Sequence, residues 1–414
     1  MKVVGFITEY NPFHYGHKYH LEESKKITKA EYSIAVMSGS FVQRGEPSFI
    51  DKWTKAKIAI DNGVDLVLEL PIIFSTQSAE RFAFGGVKLL DSLNIVDYIT
   101  FGSELGNIEP LNKISKILSE EPQYYNNQLL HYLEEGNSYS VARSHALKDY
   151  FIKEKTSFHS SIERIIESPN NILGIEYLKA LYKINSSIQP ITFQRIGSEY
   201  KDEKLSSNKS SSTAIRNNIF KKDLPSVRNN VPAETYAYLE QFLKEHNSFN
   251  SLENYSQILL YLLCMTSPHQ ISKVIDVEEG LENRIINMAF KYNSSNNIID
   301  NTVSKRHTKT RIQRILIHML LNLQKQDFYY LKDNYPEYYR VLGANEKGVY
   351  LLRKIKENSN IPIINKFSDF KKIRKPSFRK MINYDKKGTD LFYLGLNSNP
   401  WANKDFYTSP YIKV

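Results

Sequence analysis

The amino-acid sequence predicts an α/β protein: a parallel sheet wrapped by helices through about residue 222, then a mainly helical, basic region over residues 223–414. Three observations predict it. Short apolar runs alternate with helical patterns in the first part. Those runs are almost continuously apolar, as strands are when helices cover both faces of a sheet. Charge is also divided along the chain. Residues 1–200 carry 21 Lys and Arg against 24 Asp and Glu, a net charge of −3, whereas residues 201–414 carry 34 against 21, a net charge of +13. The positive excess sits wholly in the second part, which points to a polyanionic partner there.

In chain order, Val3–Thr8 (VVGFIT) is read as the first buried strand. Glu9 to His17 holds the turn signals Asn11-Pro12 and Gly16, and a helix is expected from Lys18 to about Lys29. Tyr32–Met37 is the second strand. Ser38–Ile50 is a loop with Gly39 and the turn Arg44-Gly45-Glu46-Pro47. Asp51 caps a helix running to Asn62, and Gly63 stands where a C-terminal glycine belongs. Leu66–Leu70 is the third strand, stopped by Pro71. Gln77–Leu93 is helical, and Tyr98–Phe101 is the fourth strand, followed at once by Gly102. Such units connect right-handedly into a Rossmann-like parallel sheet. Residues 109–155 read as a helical insertion. A helix over Ile172–Ile184, a fifth strand over Pro190–Ile196 and a polar loop over Lys201–Ser212 follow. The sheet is expected to end near Lys222, with helices at Ala233–Phe242, Gln257–Leu263 and Arg311–Leu323 beyond it.

Composition excludes several classes. A 41% hydrophobic fraction excludes a wholly disordered chain. The single cysteine, Cys264, excludes a disulfide scaffold and a cysteine-based zinc site; within the apolar run Ile258–Met265 it is expected to be buried. No run approaches the roughly 18 apolar residues of a membrane span. Met1-Lys2 leads into a strand without a signal-peptide pattern, so a cytoplasmic location is expected.

The sharpest chemical feature is the turn after the first strand. Ligands of an open parallel sheet bind beyond the carboxyl ends of its strands, and a helix N-terminus there suits phosphate. His14 and His17 flank Gly16, whose missing Cβ is expected to let a ligand approach the backbone. Two imidazoles at this point can donate to a phosphate gaining charge in a transition state. Three of the ten histidines, His14, His17 and His20, fall here. A second feature is Lys209-Ser210-Ser211-Ser212-Thr213-Ala214-Ile215-Arg216, a hydroxyl run opening a helix with an arginine one turn on, a segment able to hold nucleotide phosphates. Lys52, after the cap Asp51, is a third candidate donor to phosphate.

These residues resemble the nucleotidyltransferase superfamily with a His-x-Gly-His motif. More narrowly, the strings Gly5–His17, Met37–Pro47, Ser168–Tyr177 and Glu278–Ile285 resemble the bacterial tRNA(Met) cytidine acetate ligase family. That resemblance implies an enzyme that joins acetate to ATP as acetyl-adenylate, expels pyrophosphate, and acetylates the exocyclic amine of the wobble cytidine of elongator tRNA(Met). Carried over, it implies an ATP loop of Ile7, Thr8, Glu9, Tyr10, Asn11, Pro12, Phe13, His14, Tyr15, Gly16, His17, Lys18, Tyr19 and His20. Gly102, Asn170 or Asn171, Arg195, Ser212, Thr213 and Arg216 would complete the pocket, with His14, His17 and Lys52 as the catalytic set. Mg²⁺ is expected with ATP, although no acidic cluster marks a site for it.

Two basic clusters are candidates for tRNA phosphates. One is Lys305, Arg306, Lys309, Arg311 and Arg314, opening a helix with the apolar stripe Ile312, Ile315, Leu316, Met319 and Leu320. The other is Lys371, Lys372, Arg374 and Lys375, where Pro376 favours a loop. Two other classes of function remain open on the sequence: an adenylyltransferase of a small molecule, which leaves the basic half unexplained, and a non-catalytic RNA-binding protein on the same fold, which leaves the histidines unexplained.

Overall fold

The computed structural model describes residues 1–155, 162–195 and 210–414. Ile196, Lys209 and most of the predicted loop over Lys201–Ser212 lie outside the described residues. The five expected strands are present: β1 (Val3–Thr8), β2 (Tyr32–Ser38), β3 (Leu66–Leu70), β4 (Tyr98–Ser103) and β5 (Gln189–Gln194). Between them run α1 (Tyr15–Thr28), α2 (Lys52–Asp61), α3 (Ala79–Ser92) and α4 (Pro169–Lys183). Asp51 caps α2 as its sequence position requires, its Oδ1 accepting from the Trp53 and Thr54 N–H groups at 2.9 and 3.1 Å. The insertion is three helices, Ile108–Glu120, Gln123–Glu134 and Tyr139–Lys153. Helix α5 (Ser212–Lys221) follows.

The second part departs from the sequence reading. Its main helices include Ala233–His246, Ser256–Met265, α6 (Lys309–Leu321), α7 (Lys325–Asp333) and α8 (Pro376–Gly395). It also returns to the sheet, which therefore does not end near residue 222. β6 (Tyr339–Asn345) pairs antiparallel with β3, Leu66 opposite Ala344, and β7 (Tyr411–Lys413) pairs parallel with β6. β6 is a buried strand whose ladder partner lies some 270 residues earlier, so nothing local announces it.

Two smaller expectations are corrected. Pro376 does not hold its cluster in a loop; it occupies the first helical position of α8, where its missing N–H has no partner to lose. Cys264 is exposed, because the helix Ser256–Met265 buries Ser256, Leu259 and Leu263 and turns the cysteine outward.

Strand order is β7-β6-β3-β2-β1-β4-β5. The chain builds outward from β1 in one direction through β2 and β3, and in the other through β4 and β5. The order reverses between β1 and β4, the place where such sheets bind ligands. β1 pairs with β2 along its whole length, Val3 with Tyr32 through Thr8 with Met37. Its pairing with β4 is confined to Val4–Tyr98 and Gly5–Ile99, although both strands run on to Thr8 and Ser103. The two strands thus part toward their carboxyl ends and leave a crevice.

Candidate active site

A cavity of 210 Å³ fills that crevice, with Ile7 and Thr8 of β1 on one side and Phe101 and Gly102 of β4 on the other. The loop after β1 forms its roof. Asn11 fixes the loop by accepting the Phe49 N–H on its Oδ1 at 2.6 Å. His14 is the N-cap of α1: its Nδ1 accepts from the Gly16 N–H at 3.0 Å, and its own N–H donates to His17 Nδ1 at 3.3 Å. The two rings stack with centroids 3.9 Å apart. A Cβ at residue 16 would lie 2.8 Å from His14 Cε1. Gly16 therefore makes room for the capping ring rather than for a ligand, and it does not line the cavity.

These contacts set the chemistry of the histidines. Both Nδ1 atoms accept, so the proton of each neutral ring is on Nε2, leaving an N–H donor for the cavity. Burial pushes the His14 pKa down to about 3, helped by the Arg195 charge. His17 is driven well below its usual value by burial first, then by His14, Arg195 and His20. His20 is lowered to about 4 by burial and Arg195, partly opposed by Thr100. Near neutral pH the cavity offers uncharged imidazole donors.

Segment 211–216 forms another wall and is sewn to the loop some 200 residues earlier. Ser211 caps α5, accepting from the Ala214 N–H at 3.2 Å. Ser212 Oγ donates to the Pro12 carbonyl at 3.2 Å. Arg216 donates to the Asn11 carbonyl at 2.7 Å and to Glu46 at 3.2 Å. The two asparagines differ in their partners. Asn171 is 2% exposed and its Oδ1 accepts from the Glu104 and Leu105 N–H groups. Asn170 lines the cavity and accepts from Arg195 at 3.2 Å.

Of the predicted residues, the structure gathers Ile7, Thr8, Glu9, Tyr10, Asn11, His14, His17, His20, Gly102, Asn170, Arg195, Ser212, Thr213 and Arg216 around the cavity. Pro12, Phe13, Tyr15, Lys18 and Tyr19 shape the loop and helix behind it. Lys52 is the clear miss. It is 1% exposed and bonded to Glu69 at 2.9 and 3.0 Å and to Asp405 at 2.9 Å, so it cannot serve as a donor in the cavity. The lysine that does touch the loop is Lys55, one turn on. Its Nζ donates to the carbonyls of Glu9, Ser38 and Gly39 and to Ser48 Oγ, at 2.6–3.2 Å. Burial pushes its pKa down to about 7.

Sequence reasoning also missed Val42, Gln43, Arg44 and Glu46, which reach the cavity from a short hairpin (Phe41–Val42 with Glu46–Pro47), and Phe82, Phe101, Leu173 and Tyr177. The polar turn directly after β2 was a usable signal for the hairpin. Phe82 and Tyr177 carry none, because an aromatic on a buried helix face reads as core.

The first basic cluster divides. Lys305, Arg306 and Lys309 are exposed, with Lys309 bonded to Asp300 at 2.8 Å. Arg311 is held by the Asp276 carbonyl at 2.8–3.0 Å and by Glu278 at 2.7 Å. Arg314 is 8% exposed and faces Asp276 at 3.6 Å, so its expected contact with tRNA is not available. The reason is packing: α6 is buried nearly all round, and the hairpin turn at Gly45 (φ 76°) presses on its backbone, where a Cβ would stand 2.3 Å from Arg314 N. Lys371, Lys372, Arg374 and Lys375 are exposed.

Among known proteins, the HIGH Nucleotidyl Transferase family profile matches residues 1–405. A tRNA(Met) cytidine acetate ligase of Thermoanaerobacter sp. (strain X514) is 46% identical over 414 residues, all of both chains. The chain belongs to the tRNA(Met) cytidine acetate ligase family. A family member from Clostridium perfringens (strain ATCC 13124) is 43% identical, again over the whole of both chains. Two crystal structures of the Thermotoga maritima ligase, TmcAL, cover 100% of each chain. The apo form superposes with a TM-score of 0.96 at 35% identity, and a form bound with alpha-thio ATP with a TM-score of 0.93 at 34%. The nucleotidyltransferase fold of the family is thus the fold of this ligase.

Proposed function

We propose that this ligase activates acetate with ATP and passes the acetyl group to the exocyclic amine of the wobble cytidine of elongator tRNA(Met). A carboxylate oxygen of acetate attacks the α-phosphorus, the bond to the leaving pyrophosphate breaks, and acetyl-adenylate forms. The cytidine amine then attacks the acetyl carbon, the bond to AMP breaks, and the amine loses a proton. The observation that carries the first step is the pair of neutral imidazoles, His14 and His17, each with its Nδ1 occupied and its Nε2–H left for a phosphate oxygen. Acetate is a weak nucleophile, so catalysis rests on positioning and on donors placed where phosphate charge develops. The capped N-terminus of α5, with Thr213, adds a hydroxyl donor and the positive end of a helix dipole. Asn170, Arg195 and Gly102 form the opposite wall for the nucleotide.

No three His, Cys, Asp or Glu side chains converge to hold a metal among the described residues. The cavity carboxylates are already engaged, Glu9 by the Gln43 N–H and Glu46 by Gln313 and Arg216. Mg²⁺ accompanying ATP would be carried on phosphate oxygens. No helix is long and apolar enough to cross a membrane among the described residues, and a cytoplasmic location is part of this proposal. The test is pyrophosphate release from ATP with and without acetate and tRNA, followed by mass spectrometry of the wobble nucleoside. Release that depends on acetate, and an acetylated cytidine only when tRNA is present, are expected. ATP turnover indifferent to acetate would defeat the reading.

A further inference from the structure

Helices α3 and α4 floor the catalytic cavity with Phe82 and Tyr177, and their outer faces line a second cavity, of 270 Å³, closed on its third side by α7. Arg81, next to Phe82, and Ala180, one turn from Tyr177, face this second cavity. The two cavities thus lie on opposite faces of the same helix pair. We propose that the second cavity holds a nucleotide flanking the wobble cytidine when that cytidine enters the catalytic cavity; the inference rests on tRNA being the acceptor.

The lining is aromatic and cationic. Phe84, Phe328 and Tyr329 supply rings, and Lys332 stands 5.5 Å from the Phe84 centroid. Arg81, anchored on Asp276 at 2.7 Å, lies 5.2 Å over Phe328. These two rings are already covered by the protein's own cations, whereas Tyr329 is 49% exposed. An exposed ring in a basic cleft is the arrangement that stacks the unpaired bases of single-stranded RNA. The carboxylates choose between RNA and a free nucleotide. Glu80 is held by Lys179 and Lys183 at 3.3 and 3.1 Å, and Glu176 by Lys179 at 2.8 Å. They oppose a doubly charged terminal phosphate inside the cleft. They tolerate a phosphodiester, singly charged and lying at the rim beside Lys183 and Lys332. None of these groups lines the ATP site.

The test is the affinity of a fluorescent anticodon stem-loop of tRNA(Met), read by anisotropy, for the native protein and for Tyr329→Ala, Tyr329→Phe and Lys332→Ala. Loss of a stacked base is expected to weaken binding roughly 5- to 100-fold in Tyr329→Ala, with Tyr329→Phe near native. Lys332→Ala should lower the slope of log affinity against log salt by about one phosphate contact. Acetate-dependent pyrophosphate release without RNA stays at the native rate in all three, which excludes a folding defect. A photoreactive base on either side of the wobble position should cross-link to the α7 peptide. Native affinity in Tyr329→Ala, equal loss in Tyr329→Phe, or a cross-link only to other peptides overturns the proposal. Failure of the acetyl transfer itself would appear separately, as an unmodified wobble base in the native protein's reaction.

Discussion

Two groups of buried ionisable side chains lie close together in this molecule and are treated in opposite ways. In the catalytic cavity, His14, His17 and His20 are bonded to backbone N–H groups and to the Thr100 hydroxyl, and burial holds them uncharged. At the start of α2, Lys52 is closed between Glu69 and Asp405, with Arg340 on Asp405 at 3.4 Å. Burial alone would lower the Lys52 pKa, but the two carboxylates outweigh it and raise the value. One group is left without countercharge, ready for an anion that arrives from solution. The other carries its own countercharge and has nothing to offer a substrate. Burial of a cation-forming residue is therefore no sign of catalysis; what it is bonded to decides.

Breaking the closed group should give the larger effect. Lys52→Met leaves Glu69 and Asp405 buried without their shared cation, which typically costs about 3–5 kcal/mol. Denaturant titration should show that loss, while pyrophosphate release per folded molecule stays near native. An unchanged unfolding midpoint would mean that the pairs contribute nothing. The open group should answer in reverse. His17→Ala removes one donor to the developing phosphate charge, which costs about 10²–10³ in rate. The measurement is acetate-dependent pyrophosphate release, with the unfolding midpoint as control; near-native turnover would remove His17 from the catalytic set.

Acid sharpens the same contrast. The folded pKa values of His14, His17 and His20 lie below the unfolded value of about 6.5. Below that pH the unfolded chain binds protons that the folded chain refuses. Their contribution is neutral above about pH 6.5 and becomes destabilising as pH falls from there toward 3. The first half-reaction should nevertheless show no histidine titration between pH 8 and 5, because the donors remain the same neutral rings. A rate that climbs as pH drops through 6.5 would mean that imidazolium is the active form.

What the sequence reveals follows the same divide. The histidine loop was legible because its geometry is local: the N-cap, the stacked pair and Gly16 fall within four residues, at the end of a strand marked by its own apolar run. The first five strands were legible for the same reason. Lys52 was misread because its partners Glu69 and Asp405 stand up to some 350 residues away, and only the fold brings them together. β6 escaped because its partner strand is equally remote. Asn170 could not be told from Asn171 until the Glu104 and Leu105 N–H groups were seen to claim one of them.

The basic clusters give the smallest effects and the finest version of the comparison. Arg314 belongs with Lys52, buried against Asp276, and its loss should lower stability rather than affinity for tRNA. Lys305 and Lys371 are its exposed counterparts. Charge reversal at either should leave stability within about 0.5 kcal/mol and spare acetyl-adenylate formation. If these lysines lie on the tRNA path, each reversal removes a phosphate contact, and the slope of log affinity against log salt falls by about one. A salt titration of tRNA binding reads that slope directly. An unchanged slope at both positions would move the tRNA path off these clusters, and the excess charge of the second half would then be a solvated surface.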